Sequence, residues 1–142
     1  MEGVELAQSI AVTVHNGQVD KGGNPYIIHP ATVASHVDTE DEKIVAWLHD
    51  VVEDTPMTIN DLRCLFSDSI INAVDAITKR DGENRHDYMV RVRNNPIACR
   101  VKIADLIHNC DITRISNPTA KDFNRVDKYK KEINWLRDSM YG

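Results

Sequence analysis

The sequence has no apolar run approaching the roughly 20 residues needed to span a bilayer. Its first residues, Met1-Glu2-Gly3-Val4-Glu5, are acidic and lack the basic start and long apolar stretch of a secretory signal. Cysteine is scarce: Cys64, Cys99 and Cys110 form no CxxC element. Three scattered thiols point to a reducing, cytoplasmic setting and to any metal being held by other side chains. Aromatic residues make up 6% of the chain, and there are only 6 Gly and 5 Pro. That shortage counts against a many-stranded barrel and suits a helical domain. Strand alternation, internal repeats and low-complexity linkers are all missing. Positive charge is short as well: the formal net charge is −5, which argues against a nucleic-acid-binding face. A small anionic ligand stays open, because a few local Lys and Arg residues with a bound cation can make a positive pocket in an acidic protein.

What the sequence does have is helical periodicity. Its 142 residues, 42% of them hydrophobic, are enough for one domain with a sizeable core, spanning residues 1–142. Val4, Ala7, Ile10, Ala11 and Val14 recur at helical spacing before Asn16-Gly17. The turn formers of Gln18 to Pro25 predict a loop, and Pro30 suits the first turn of the next helix, with His29 at its entrance. Thr39 with Glu42, and Thr58 with Asp61, have capping-box spacing. The first predicts a helix through Trp47 to about Asp54, and the second a helix through Leu62, Leu65 and Phe66. Further helices are predicted from Asp68 or Ser69 through Ile77, up to about Arg93, after Pro96, and from about Ala120 to Met140. The fold class is all-α.

The stretch His49-Asp50-Val51-Val52-Glu53-Asp54 carries four ionisable groups. At about 100° per residue, positions 49, 50, 53 and 54 share one side of a helix, with Val51 and Val52 turned toward packing. Such a face is either a charged surface turn or a metal site with catalytic carboxylates behind it. Two other positions bear on the choice. His29 stands between Ile28 and Pro30, and Asp105 interrupts the apolar run Val101 to Ile107. A histidine before proline is often structural, and Asp105 could cap a helix or pair with Lys102 or Arg100. Brought together, however, His29, His49, Asp50 and Asp105 supply two neutral nitrogens and two carboxylate oxygens. That mixed set suits Mn²⁺ or Fe²⁺ ahead of Zn²⁺.

The order His29, His49-Asp50, Asp105 resembles that of the HD-domain metal-dependent phosphohydrolases. The likeness extends to longer stretches: His15 to Gln18, Lys21 to Pro30 (KGGNPYIIHP), Trp47 to Thr55 (WLHDVVEDT) and Val101 to Asn109 (VKIADLIHN). These are similar to the hydrolase domain of RelA/SpoT-type alarmone enzymes, from about Ala7 to Tyr129. The resemblance implies a compact multi-helix HD bundle with a central metal site, and a stand-alone hydrolase that removes the 3′-pyrophosphate of ppGpp and pppGpp. It implies His29, His49, Asp50 and Asp105 as ligands of Mn²⁺, Glu53 and Asp54 as the catalytic pair, and Lys21, Asn109 and Tyr129 as nucleotide contacts. Glu53 is the preferred base, and Lys102 or Arg114 could join Lys21 in gripping phosphate. The pattern departs from the family at Asp20 and Leu106, where basic residues are usual. Two alternatives stand beside this reading: a phosphohydrolase for another nucleotide, and a non-catalytic nucleotide-sensing module.

Overall fold

The computed structural model describes residues 3–141. Among them the chain forms nine α-helices and one short 3₁₀ turn, without a named strand. In order these are α1 (Gly3–Val14), α2 (Ile28–Ser35), α3 (Glu40–Leu48), α4 (Val51–Asp54), α5 (Ile59–Arg63), α6 (Asp68–Ile77), α7 (Arg85–Arg93), α8 (Pro96–Asn109), the 3₁₀ turn Ile112–Arg114, and α9 (Ala120–Tyr141). No helix among the described residues is long and apolar enough to cross a membrane.

Two helices sit at the centre. α8 packs against α2, α3, α6, α7 and α9, and α3 packs against α1, α2, α6 and α8. α8 is placed by its start: Asn95 caps it by accepting from the Ala98 amide at 3.0 Å, and Pro96 follows in the first turn, where its missing N–H is not needed. Its buried face runs through Ala98, Cys99, Val101, Ala104 and Leu106. α3 contributes Ile44, Val45, Ala46 and Leu48 to the same core. Leu106 is thus 1% exposed and faces the core, so the expected basic position beside Asp105 is a packing position here.

Both expected capping boxes form, at Thr39–Glu42 and Thr58–Asp61. The periodicity overshot in one place that matters. The helix expected to run through His49 to Asp54 breaks after Leu48. His49 and Asp50 form a turn, and α4 restarts at Val51. Asp50 takes φ −107° and ψ −1°, off the helical values, and the His49 ring binds the Ala46 carbonyl at 2.6 Å. The apolar pattern is continuous across this break, so periodicity could not register it. Likewise α5 ends at Arg63, short of Leu65 and Phe66.

Glu42, 4% exposed, ties the start of α3 to α8. It accepts from the Asp38 amide at 3.1 Å and the Thr39 amide at 3.5 Å, and from Arg100 of α8 at 3.3 Å. Burial alone would raise its pKa. The Asp38 amide, the Arg100 guanidinium and the Thr39 amide more than reverse that and hold it below the ordinary value. A carboxyl held low in the folded state adds stability above its unfolded pKa and loses it as pH falls through the folded one. Glu42→Gln should therefore be less stable than the natural chain at pH 7, by about 1 kcal/mol in urea denaturation. The gap should close as pH falls below the ordinary glutamate range and through the lowered folded value, where the natural side chain is itself protonated.

Candidate functional site

Three elements deliver four side chains to one point where α2, α3 and α8 meet. α2 brings His29, the turn after α3 brings His49 and Asp50, and α8 brings Asp105. His29, His49 and Asp105 are buried, and their ligand atoms lie within 4.8 Å of one another. His29 Nε2 is 2.8 Å from Asp105 Oδ1 and 3.2 Å from His49 Nε2. His49 Nε2 is 3.4 Å from Asp105 Oδ1. Asp50 closes the open side, its Oδ2 at 3.1 Å from His49 Nε2 and 3.7 Å from His29 Nε2. Ligands about 2.1 Å from a common ion stand roughly 3 to 3.5 Å apart, so these spacings are those of a coordination shell.

The hydrogen bonding also calls for a cation there. A backbone carbonyl only accepts, so His49 Nδ1 carries the proton it gives to Ala46 O. In the neutral ring, Nε2 then presents a lone pair toward His29 Nε2 and two carboxylate oxygens. Acceptors facing one another without a proton or a metal ion between them repel. The titration behaviour says the same: Asp50 and Asp105 outweigh the effect of burial and push His49 well above its ordinary pKa. The donor set of two imidazoles and two carboxylates fits a divalent metal ion.

Asp105 is held independently of any ion. Lys102, one turn earlier, donates to Oδ2 at 2.8 Å, and Asn109, one turn later, donates to Oδ1 at 3.1 Å. Burial opposes its charge, but Lys102 first, with His29 and His49, keeps its pKa well below the usual carboxylate range. Lys102 is 9% exposed; it is paired with Asp105 and also lines the cleft beside Glu53. Arg100 is not a partner of Asp105; it belongs to Glu42.

Glu53 and Asp54 stand at the rim, each with an edge open to solvent. Partial burial, then Asp50 and the other member of the pair, raise the pKa of Glu53; partial burial and Asp50 likewise raise that of Asp54. Glu53 lines a cleft of about 190 Å³ with Tyr26, His29, Asp50, Lys79, Arg85 and Asp105. Asp54 does not line this cleft. Lys21, Asn109 and Tyr129 meet in an adjoining cavity of about 360 Å³, together with Arg114, Arg125 and Tyr26. Tyr26, Asn109 and Arg114 border both spaces.

Asp20 borders this second cavity and at the same time orders its own loop. Its Oδ1 accepts from the amides of Gly22 at 2.9 Å and Asn24 at 3.0 Å, closing the loop on itself. Its Oδ2 lies 3.7 Å from Arg114. Gly22 packs so closely that a Cβ there would collide with the Arg114 carbonyl. Arg114 in turn donates to Asn109 Oδ1 at 3.1 Å, so the loop is linked through Arg114 and Asn109 to Asp105.

Sequence reasoning passed over three side chains that belong here. The Tyr26 hydroxyl donates to Asp50 Oδ2 and lies 3.5 Å from Asp54 Oδ2. His15 is 2% exposed, packs on the Tyr26 ring at 5.0 Å and pairs with Gln18 at 2.9 Å, and Gln18 donates to the Asp54 carbonyl at 3.1 Å. His108 meets His29, with 2.7 Å between their Nδ1 atoms, and burial first, then Arg114, lowers its pKa to about 4. One signal was legible beforehand: His108 follows Asp105 by three residues and so shares its helix face.

The helices and the two-histidine, two-carboxylate cluster define an HD-type all-α fold. No family model matches the chain. Over 119 residues, 75% of the chain, it is 34% identical to a GTP pyrophosphokinase of Streptomyces coelicolor. Over 116 residues, 70% of the chain, it is 35% identical to a guanosine-3′,5′-bis(diphosphate) 3′-pyrophosphohydrolase of Haemophilus influenzae. The matched stretches amount to only 14% and 17% of those two proteins. A solved structure described as a metazoan ortholog of SpoT that hydrolyzes ppGpp superposes with a TM-score of 0.79 at 22% identity, over 100% of this chain and 87% of that one. The chain is a homologue of one segment of the RelA/SpoT-type enzymes and has the fold of their HD-type relative.

The pairing of Lys102 with Asp105 makes a prediction about the metal-free protein. Removing one partner of a buried pair leaves the other charge uncompensated, so Lys102→Met should lower its stability by about 3 kcal/mol. Adding a divalent ion should restore part of that loss, read as a larger metal-induced rise in Tm for the variant than for the natural chain.

Proposed function

We propose that this chain is a Mn²⁺-dependent phosphohydrolase that removes the 3′-pyrophosphate of ppGpp and pppGpp, giving GDP or GTP and pyrophosphate. The observation that carries the reading is the adjacency of three things: the buried cluster of His29, His49 and Asp105 with Asp50 against it, two carboxylates of raised pKa beside it, and a cavity bordered by Lys21, Asn109, Arg114 and Tyr129. Homology to enzymes named for ppGpp metabolism supports the choice of substrate. The three free cysteines are in keeping with work in the cytoplasm.

In this reading His29, His49, Asp50 and Asp105 hold the ion. When bound, it supplies Lewis acidity and a water of lowered pKa. Glu53, in the cleft, takes the proton of the attacking water, and its raised pKa suits that task near neutral pH. The bond broken joins phosphorus to the 3′-oxygen, which needs a proton as it leaves. Asp54, at the rim outside the cleft, of raised pKa and beside Tyr26, is the group to which this reading gives that role. The Tyr26 hydroxyl, donating to Asp50, keeps that ligand turned toward the cluster. Lys21 and Arg114 offset phosphate charge, while Asn109 and Tyr129 meet the nucleoside.

A second reading, hydrolysis of another 3′-phosphorylated nucleotide, draws on one observation: Asp20, locked into its loop, brings no cation to the base end of the cavity. A panel of nucleotides assayed with Mn²⁺ separates the two. Pyrophosphate released from ppGpp in preference to other 3′-phosphorylated nucleotides is the expected result, and no release from ppGpp sinks the first reading. Two variants test the roles. Asp50→Ala should lose stoichiometric Mn²⁺ in metal analysis. Glu53→Ala should keep the metal and lose turnover by about a hundredfold or more.

A further inference from the structure

His29 is gripped at both ring nitrogens by a single helix. Asp105 of α8 stands 2.8 Å from Nε2, and His108, one turn later on the same helix, stands 2.7 Å from Nδ1. The two imidazoles are inclined by only 10° with centroids 5.0 Å apart. That separation is about the most that the nitrogen gap and the two ring radii allow, so the rings meet edge to edge in nearly one plane. This is the arrangement of an N–H···N hydrogen bond. Two neutral imidazole nitrogens cannot approach this closely unless one carries the proton.

His49 and His29 therefore differ in how their tautomers are set. His49 has its Nδ1 proton fixed by the Ala46 carbonyl, which can only accept. His29 has no such anchor; its Nδ1 faces another imidazole, which can either donate or accept. If His108 donates, His29 Nε2 carries the proton and points it at Asp105, closing the ring to a metal ion. If His108 accepts, His29 Nε2 offers its lone pair to the cluster. We infer that His108 is the positioning residue that sets His29 for metal binding, its Nδ1 accepting from His29 Nδ1–H and fixing both tautomer and ring plane. The inference rests on the cation site proposed above. It matches the general pattern in which a metal-bound imidazole donates its other N–H to an oriented acceptor, with the acceptor here a second histidine. Arg114 supports the device, since it donates to the His108 carbonyl at 3.2 Å and holds the end of α8.

The test uses Mn²⁺ calorimetry on three proteins and nitrogen NMR on one. His108→Leu removes the acceptor; His108→Asn can return an oxygen close to the place of Nδ1. Mn²⁺ affinity should fall about ten- to hundredfold in His108→Leu and recover most of the way in His108→Asn. In the natural chain loaded with Zn²⁺ as a diamagnetic probe, two-bond ¹H–¹⁵N spectra should show His29 protonated at Nδ1 and His108 unprotonated at Nδ1. A folded His108→Leu protein with natural affinity overturns the inference while leaving the cation site standing. So does His108 protonated at Nδ1 in the Zn²⁺-loaded natural chain, which is read without any variant. A natural chain that binds neither ion overturns the cation site itself, and the inference with it.

Discussion

A carboxylate inside an apolar helix bundle is unfavourable unless something positive meets it, and Asp105 is where this fold faces that constraint. α8 answers with its own side chains, placing Lys102 one turn before Asp105 and Asn109 one turn after. Across the helix interface its Oδ1 faces His29 and His49, where a proton or a metal ion has to lie between them. Because the lysine compensates the charge without any ion, α8 can pack at the centre of the bundle in the metal-free chain. A second consequence is that Lys102 lines the cleft as the partner of Asp105, with Lys79, Arg85 and Arg114 as further cations around it.

The core and the site share the same elements. Leu48 and Val51 are fully buried on either side of the His49–Asp50 turn, which anchors both ends of a two-residue interruption while exposing its side chains to the cluster. An unbroken helix would have carried all four ionisable groups on one rigid face. The break instead puts His49 and Asp50 on a turn and Glu53 and Asp54 on a separate short helix. The latter is tied through Gln18 to His15 and, through its own carboxylate, to Tyr26. The loop that carries Lys21 is joined to the same centre through Asp20, Arg114 and Asn109.

Much of this was legible in the sequence because it depended on local rules. Thr39, Thr58 and Pro96 announced helix starts through spacing alone, and the all-helical class followed from apolar periodicity. The HD order of His29, His49, Asp50 and Asp105 could be read because each residue stands out against an apolar background. What escaped was set by partners far away in the chain. The break after Leu48 leaves no mark in the hydrophobic pattern. Lys102 could be read either as the partner of Asp105 or as a cation for phosphate, and the fold pairs it with Asp105. His108 has no evident task until His29, 79 residues earlier, is brought against it. Asp20 does stand at the rim of the Lys21 cavity, but with its Oδ1 closing its own loop, whereas Leu106 fills the core.

The central claim is that four side chains from three separate stretches form one cation site on which the rest of the pocket is aligned. Anomalous diffraction at the manganese edge, from crystals grown with Mn²⁺, tests it most directly. The account predicts one fully occupied peak bounded by His29 Nε2, His49 Nε2, Asp50 Oδ2 and Asp105 Oδ1. A peak elsewhere, or no peak at saturating Mn²⁺, would contradict it.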